Sequence, residues 1–195
     1  TLAVPRKEIS ARGQGQPAPV IIMGHGYGSQ RFEGMEYAHQ LTRYGFAVLS
    51  IDGPTHGIGL PASDEQLAHQ LFGAFGLENL ATAVFLDRAL DQNNDGIKDS
   101  GADFWTAYFF HTRDVVRQFT VDYMQLVKMF RAFDGSRRWN LDVNGDGQNE
   151  LAGDFDGDGV VDVGGPDVTF AMSGGSLGGI MSMAVGSLEP EMNVT

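Results

Sequence analysis

Short apolar runs alternate along the chain with segments whose apolar positions recur every three or four residues. Pro19-Val-Ile-Ile-Met23 stops at a glycine-rich turn, and Gly45-Phe-Ala-Val-Leu-Ser-Ile51 stops at Asp52-Gly-Pro54. Unbroken apolar runs of this length, bounded by Gly, Pro and Asp, predict buried strands. Between them Met35, Ala38, Leu41 and Tyr44 keep a helical step from Phe32 to Tyr44. Strand, helix, strand is the order of a parallel crossover. Residues 63–90 read as helical stretches broken at Gly73 and Gly76, and Ser63 with Gln66 three residues on forms a candidate capping box. From His111 to Phe133, Val116, Phe119, Tyr123, Val127 and Phe130 fall at steps of three and four, leaving Arg113, Arg117 and Lys128 on other faces. That spacing predicts one long amphipathic helix against a sheet. Asp167-Val-Thr-Phe-Ala-Met172 reads as a third buried strand, running into Ser173-Gly-Gly-Ser-Leu-Gly-Gly179 and the small, apolar residues Ile180 to Val185. The predicted class is α/β with a mostly parallel sheet.

Composition narrows the partners. With 195 residues, 42% of them hydrophobic, the chain has material for one packed core, and no stretch approaches the roughly 18 consecutive apolar residues of a membrane helix. It opens Thr1-Leu2-Ala3-Val4 with neither an initiator Met nor a signal-like apolar segment, which reads as a mature or excised piece. Net charge is -12 and Lys and Arg are not clustered, so nucleic acid and anionic lipid are disfavoured as partners. Cysteine is absent, which excludes a disulfide framework and a thiolate zinc site but leaves the compartment open.

The negative charge is concentrated in three segments of one grammar. Asp91, Asn93, Asp95, Ile97 and Asp99 stand at positions 1, 3, 5, 7 and 9 of the first; Asp142, Asn144, Asp146, Gln148 and Glu150 of the second; Asp154, Asp156, Asp158, Val160 and Asp162 of the third. Position 6 is Gly in each. Calcium takes six to eight hard oxygen ligands, which alternating Asp and Asn, a position-7 carbonyl and a position-9 carboxylate (direct or through water) would supply around a Gly-enabled reversal. All three depart from the EF-hand at position 12, where Ala102, Gly153 and Gly165 replace the bidentate Glu; Asp103 and Asp154 follow one residue later in the first two. The second and third loops repeat with a period of 12 and resemble the calcium repeats of thrombospondin type 3 and dockerin modules. Bare acidic turns are the simpler alternative. Three matches with the same Gly favour structural Ca2+, and loops without the terminal Glu fill where calcium is millimolar, outside the cell.

Gly174-Gly175-Ser176-Leu177-Gly178 satisfies G-x-S-x-G between an apolar strand and a helix-compatible run. A nucleophile on so sharp a turn needs small residues two before and two after it, and the following helix start offers N–H groups to an oxyanion. A phosphate-binding loop is the alternative, but no Lys-Ser/Thr ending and no G-x-G-x-x-G supports it.

With these residues the sequence resembles an α/β-hydrolase, specifically the bacterial extracellular lipase and esterase type. Gly24-His25-Gly26-Tyr27-Gly28 is similar to that family's HG-x-G oxyanion loop. Phe46 to Gly57, with Asp52-Gly-Pro-Thr-His56-Gly57, is similar to its next strand and D-x-P-x-H-G turn, and Arg113-Asp-Val-Val-Arg117-Gln118 resembles the R-D-x-x-R-Q helix of virulence-factor-type lipases. The resemblance implies that Ser176 is the nucleophile, that Leu177 N–H is one oxyanion donor, and that an N–H at Gly26 or Tyr27 is the other. His25 and His56 are expected to hold their loops rather than carry protons, and His39, His69 and His111 carry no motif.

The family orders its triad Ser, acid, His, yet only 19 residues follow Ser176 and all five histidines precede it. The chain is therefore expected to hold the oxyanion loop and elbow of a domain whose acid and base lie on a continuing or companion chain, with a sheet edge left unpaired. The expected division is residues 1–56 for the first part of the core, 57–165 for a helical cap and core helix bearing the calcium loops, and 166–195 for the nucleophile strand, elbow and helix. The leading expectation is a secreted serine hydrolase of carboxylic esters, acylglycerols or other lipids included. The rivals are an inactive, calcium-ordered extracellular binding or scaffold protein on the same fold, and a peptidase or thioesterase.

Overall fold

A computed structural model describes residues 1–86, 88–142 and 145–195. Among these residues four strands, β1 (Leu2–Ala3), β2 (Val20–Gly24), β3 (Ala47–Leu49) and β4 (Phe170–Gly174), form one sheet in the order β1-β3-β2-β4. β2 lies parallel to both β3 and β4, while β1 runs antiparallel to β3, so the sheet is mixed. The helices are α1 (Glu33–Arg43), α2 (Ala62–Ala74), α3 (Glu78–Phe85), α4 (Phe109–Arg131) and α5 (Leu177–Leu188). The architecture is α/β.

The two faces of the sheet follow from strand alternation. Val20 and Ile22 pair with Phe170 and Met172, and these four join Phe119, Tyr123 and Val127 of α4 and Leu177, Met181 and Val185 of α5 in the main core. Each fully buried side chain of this size contributes about 1.5–3 kcal/mol. On the opposite face Gly34 brings α1 down onto the sheet; a Cβ there would lie 3.0 Å from that of Ser50 and 3.2 Å from that of Met23.

Two local expectations fail. The capping box at Ser63 does not form: Pro61 bridges Ile97, its carbonyl takes the Asp64 and Glu65 N–H groups, and α2 starts one residue before Ser63. In α4 the buried position is Val115, with Val116 at the rim of the core. The outer edge of β4, expected open, is partly covered: Val194 forms a parallel bridge to Ala171, and Asn193 Oδ1 accepts the Phe170 N–H at 2.8 Å. Among the described residues no helix is long and apolar enough to cross a membrane.

Candidate active site and acidic loops

Ser176 joins β4 to α5 with φ 52° and ψ -118°, and its side chain is exposed. Such a backbone costs a non-glycine residue about 1–3 kcal/mol and persists only where its surroundings impose it. Three glycines do so. Gly24 and Gly174 are register partners, and Gly178 of α5 packs on both. A Cβ at Gly178 would lie 2.1 Å from Gly24 O, and one at Gly174 would lie 2.6 Å from that oxygen and 2.7 Å from the Gly178 carbonyl carbon. The small residues two before and two after the serine are thus required by backbone-on-backbone contact, whereas Gly175 meets nothing within 4 Å. Leu177 is buried and is the first residue of α5, where a backbone N–H has no acceptor within the helix.

The loop leaving β2 at Gly24 starts beside this elbow. His25 is fully buried, and both ring nitrogens are engaged: Nε2 accepts the Gly53 N–H at 2.9 Å, which leaves Nδ1–H to donate to Gly26 O at 2.8 Å. His25 therefore ties the loop after β2 to the loop after β3. The Gly26 N–H, one of the candidate oxyanion donors, is donated to Glu33 Oε2 at 2.9 Å. Among the described residues no acceptor takes the Tyr27 N–H, so of the two candidates Tyr27 is the one left available.

His56 is also buried. Its Nδ1 donates to Pro54 O at 2.8 Å, its Nε2 has no hydrogen-bond partner among the described residues, and the rings of His25, Phe104 and Tyr27 lie 4.8, 5.1 and 5.9 Å away. Burial pushes its pKa below the ordinary imidazole value. Beside it Arg31 and Asp52 form a buried ion pair, Asp52 also accepts the Arg31 N–H at 2.6 Å, and Arg31 Nη2 reaches the carbonyls of Ala83 and Val84 in α3. The sequence carries no motif that marks Arg31 or Glu33; their only signal is a charged residue within a few positions of the glycine-rich turn.

The other histidines lie elsewhere: His39 Nδ1 on Glu36 O, the His69 ring beside Phe85, and His111 Nε2 on the Asp103 carboxylate at 2.9 Å. Among the described residues no side chain hydrogen-bonds the Ser176 hydroxyl. Arg113 pairs with Asp114 and Gln118 Nε2 bonds Asp122 on the surface of α4, apart from the elbow's contacts.

No protein-family model matches the chain, and no curated protein matches it either.

The three acidic loops repeat one hydrogen-bond pattern. The position-1 carboxylate accepts the N–H of the position-6 glycine at 2.9 Å in the first loop (Asp91 to Gly96), 3.0 Å in the second (Asp142 to Gly147) and 2.8 Å in the third (Asp154 to Gly159). The position-5 carboxylates of Asp95, Asp146 and Asp158 accept the N–H groups of Ile97, Gln148 and Val160. Gly96, Gly147 and Gly159 all have φ between 84° and 88° with open space around them, so glycine is there for its dihedral freedom. Asn144 lies outside the described residues.

The fit to calcium differs between loops. Among the described residues only the third gathers three carboxylates, Asp154, Asp156 and Asp162, with oxygens within 4.8 Å of one another. Those oxygens already face cations: Arg12 Nη2 lies 2.6 Å from Asp156, Arg12 Nε lies 2.7 Å from Asp162, and Lys7 lies on Asp156 and Asp158. Asp162 is 2% exposed, and its other oxygen accepts the Phe155 N–H. Asp103, counted as a ligand of the first loop, has its carboxylate on His111 instead.

Proposed function

We propose that this chain carries the nucleophile and oxyanion-binding part of a serine hydrolase acting on carboxylic esters, lipid esters among them. The observation that carries the reading is Ser176: an exposed hydroxyl in a strained strand-to-helix turn, clamped by Gly24, Gly174 and Gly178. In this reading Ser176 Oγ attacks the ester carbonyl, giving a tetrahedral oxyanion that Leu177 N–H and Tyr27 N–H stabilise, and collapse of that intermediate expels the alcohol and leaves an acyl-enzyme. The general base and its acid are assigned to a further part of the domain, on a continuing or companion chain.

Calcium is proposed as a structural ion held by the oxygens of the acidic loops, where it would neutralise clustered carboxylates; loops without a terminal bidentate Glu fill at millimolar calcium, which supports an extracellular location. A second reading, a catalytically inactive calcium-ordered binding protein, draws support from the unpartnered Ser176 hydroxyl.

Intact-mass measurement before and after fluorophosphonate treatment, with peptide mapping of any adduct, separates the two. An adduct on Ser176 is expected for the hydrolase. A folded protein that stays unlabelled with its companion segment present supports the binding protein and overturns the proposal.

A further inference from the structure

We propose that Glu33 is a positioning residue of the oxyanion loop, an inference that rests on the hydrolase reading above. Gly26 is held through both of its backbone polar groups. Its N–H donates to Glu33 Oε2 at 2.9 Å, and its carbonyl accepts His25 Nδ1–H at 2.8 Å and the Ser29 N–H at 3.1 Å. The Glu33 carboxylate lies over the Gly26 Cα, since a Cβ built there would meet Oε2 at 3.5 Å and Oε1 at 3.8 Å before anything else.

Glu33 is suited to that task by its place. It is the first residue of α1, its own N–H is turned back onto Gln30 O at 3.0 Å, and an anion at this end of a helix is favoured by the helix dipole. Its side chain lines a cavity of about 470 Å3 together with Met23, Tyr37, Gly174 and Gly175, so the carboxylate reaches Gly26 next to the elbow without being packed shut.

The consequence is a division of labour between neighbouring amides. The Gly26 N–H is committed to the Glu33 carboxylate and is withheld from a transient oxyanion, while the Gly26 carbonyl, held by His25 and Ser29, fixes the peptide that carries the next N–H, that of Tyr27. Preorganised donors need no reorganisation when charge develops, which is where most of their effect on rate arises. The same carboxylate places a negative charge beside a site meant to receive another. A neutral acceptor of the same shape would keep the positioning and remove the repulsion, so Glu33→Gln and Glu33→Ala should act in different directions.

The test is the second-order rate of fluorophosphonate labelling at Ser176 for the full chain and both variants, read beside amide NMR of Gly26, Tyr27 and Leu177. The expected result is a roughly tenfold slower rate for E33A, equivalent to one lost hydrogen bond, and a rate for E33Q equal to or above that of the wild type. In the unlabelled protein the Gly26 amide should be protected from exchange and lose that protection in E33A but not E33Q; on labelling, Tyr27 and Leu177 amides should shift and Gly26 should not. Equal labelling rates for E33A and wild type, or a Gly26 amide that shifts on labelling, would overturn the assignment while leaving the hydrolase reading intact. Absence of label on the folded wild type with its companion segment present would remove the hydrolase reading, and Gly26 exchange in E33A would still decide whether Glu33 fixes the loop.

Discussion

Gly178→Ala sets two physical effects against each other. Helix propensity favours alanine over glycine by about 1 kcal/mol, so on local grounds the change near the start of α5 stabilises. The tertiary contact says the opposite. The new Cβ would lie 2.1 Å from Gly24 O and 2.5 Å from Gly24 C, where carbon and oxygen normally approach no closer than about 3.3 Å. Both partners are backbone, so no side chain can rotate away; α5 and the end of β2 must separate by about 1 Å. Overpacking of this kind costs about 1–3 kcal/mol, and weakening one or two β2–β4 hydrogen bonds adds about 1 kcal/mol each. After the propensity gain is subtracted the net loss is about 1–4 kcal/mol, which at this chain length, at about 2–4 °C per kcal/mol, lowers Tm by a few to about 15 °C. Thermal unfolding of Gly178→Ala beside Gly175→Ala provides the assay, because Gly175 has nothing within 4 Å and its change should fall within about 1 kcal/mol of zero. A Gly178→Ala protein as stable as the wild type would refute the three-glycine clamp on the elbow.

Ser176→Gly should remove fluorophosphonate labelling and raise Tm, since glycine adopts φ 52°, ψ -118° without the serine's strain; an unchanged or lower Tm in the melting curve would count against stored strain. His56, with its pKa lowered by burial, favours the neutral ring in the fold, so the unfolded chain takes up the proton first as pH falls below about 6.5 and stability drops from there toward the folded pKa. His56→Asn, whose amide can replace the Nδ1 donor, should flatten the fall of Tm between pH 7.5 and 5.5; parallel curves would show that another group is responsible. Arg12→Gln leaves the buried Asp162 carboxylate without its cation and should cost about 3 kcal/mol in chelator, with much of that restored by millimolar calcium. Equal losses in chelator and calcium, measured by thermal unfolding, would show that a divalent ion does not stand in for the guanidinium.

What the chain determines locally can be read from it. Runs such as Val20–Gly24 and the three-and-four spacing through α4 announce strand and helix because burial on one face needs that periodicity, and the glycines of the acidic loops and the elbow mark dihedrals that other residues avoid. The sharp turn at Ser176, and His25 and His56 as loop-holders, were legible for the same reason: each follows a strand end marked by glycine, proline or aspartate. Pairings between distant segments were not. Glu33 on the Gly26 N–H, Arg31 on Asp52 and Arg12 on the third acidic loop link residues 7, 21 and about 150 positions apart. A carboxylate or guanidinium carries no periodic signature, and its partner is set by how the sheet order β1-β3-β2-β4 brings loop ends together. The sequence by itself therefore determined which backbone conformations occur and where a serine hydroxyl is displayed on a strained turn. Tertiary packing alone decided which amide faces a carboxylate, which stays available, and which acidic loop already holds a cation, because those outcomes depend on distances between strand ends that no local pattern encodes.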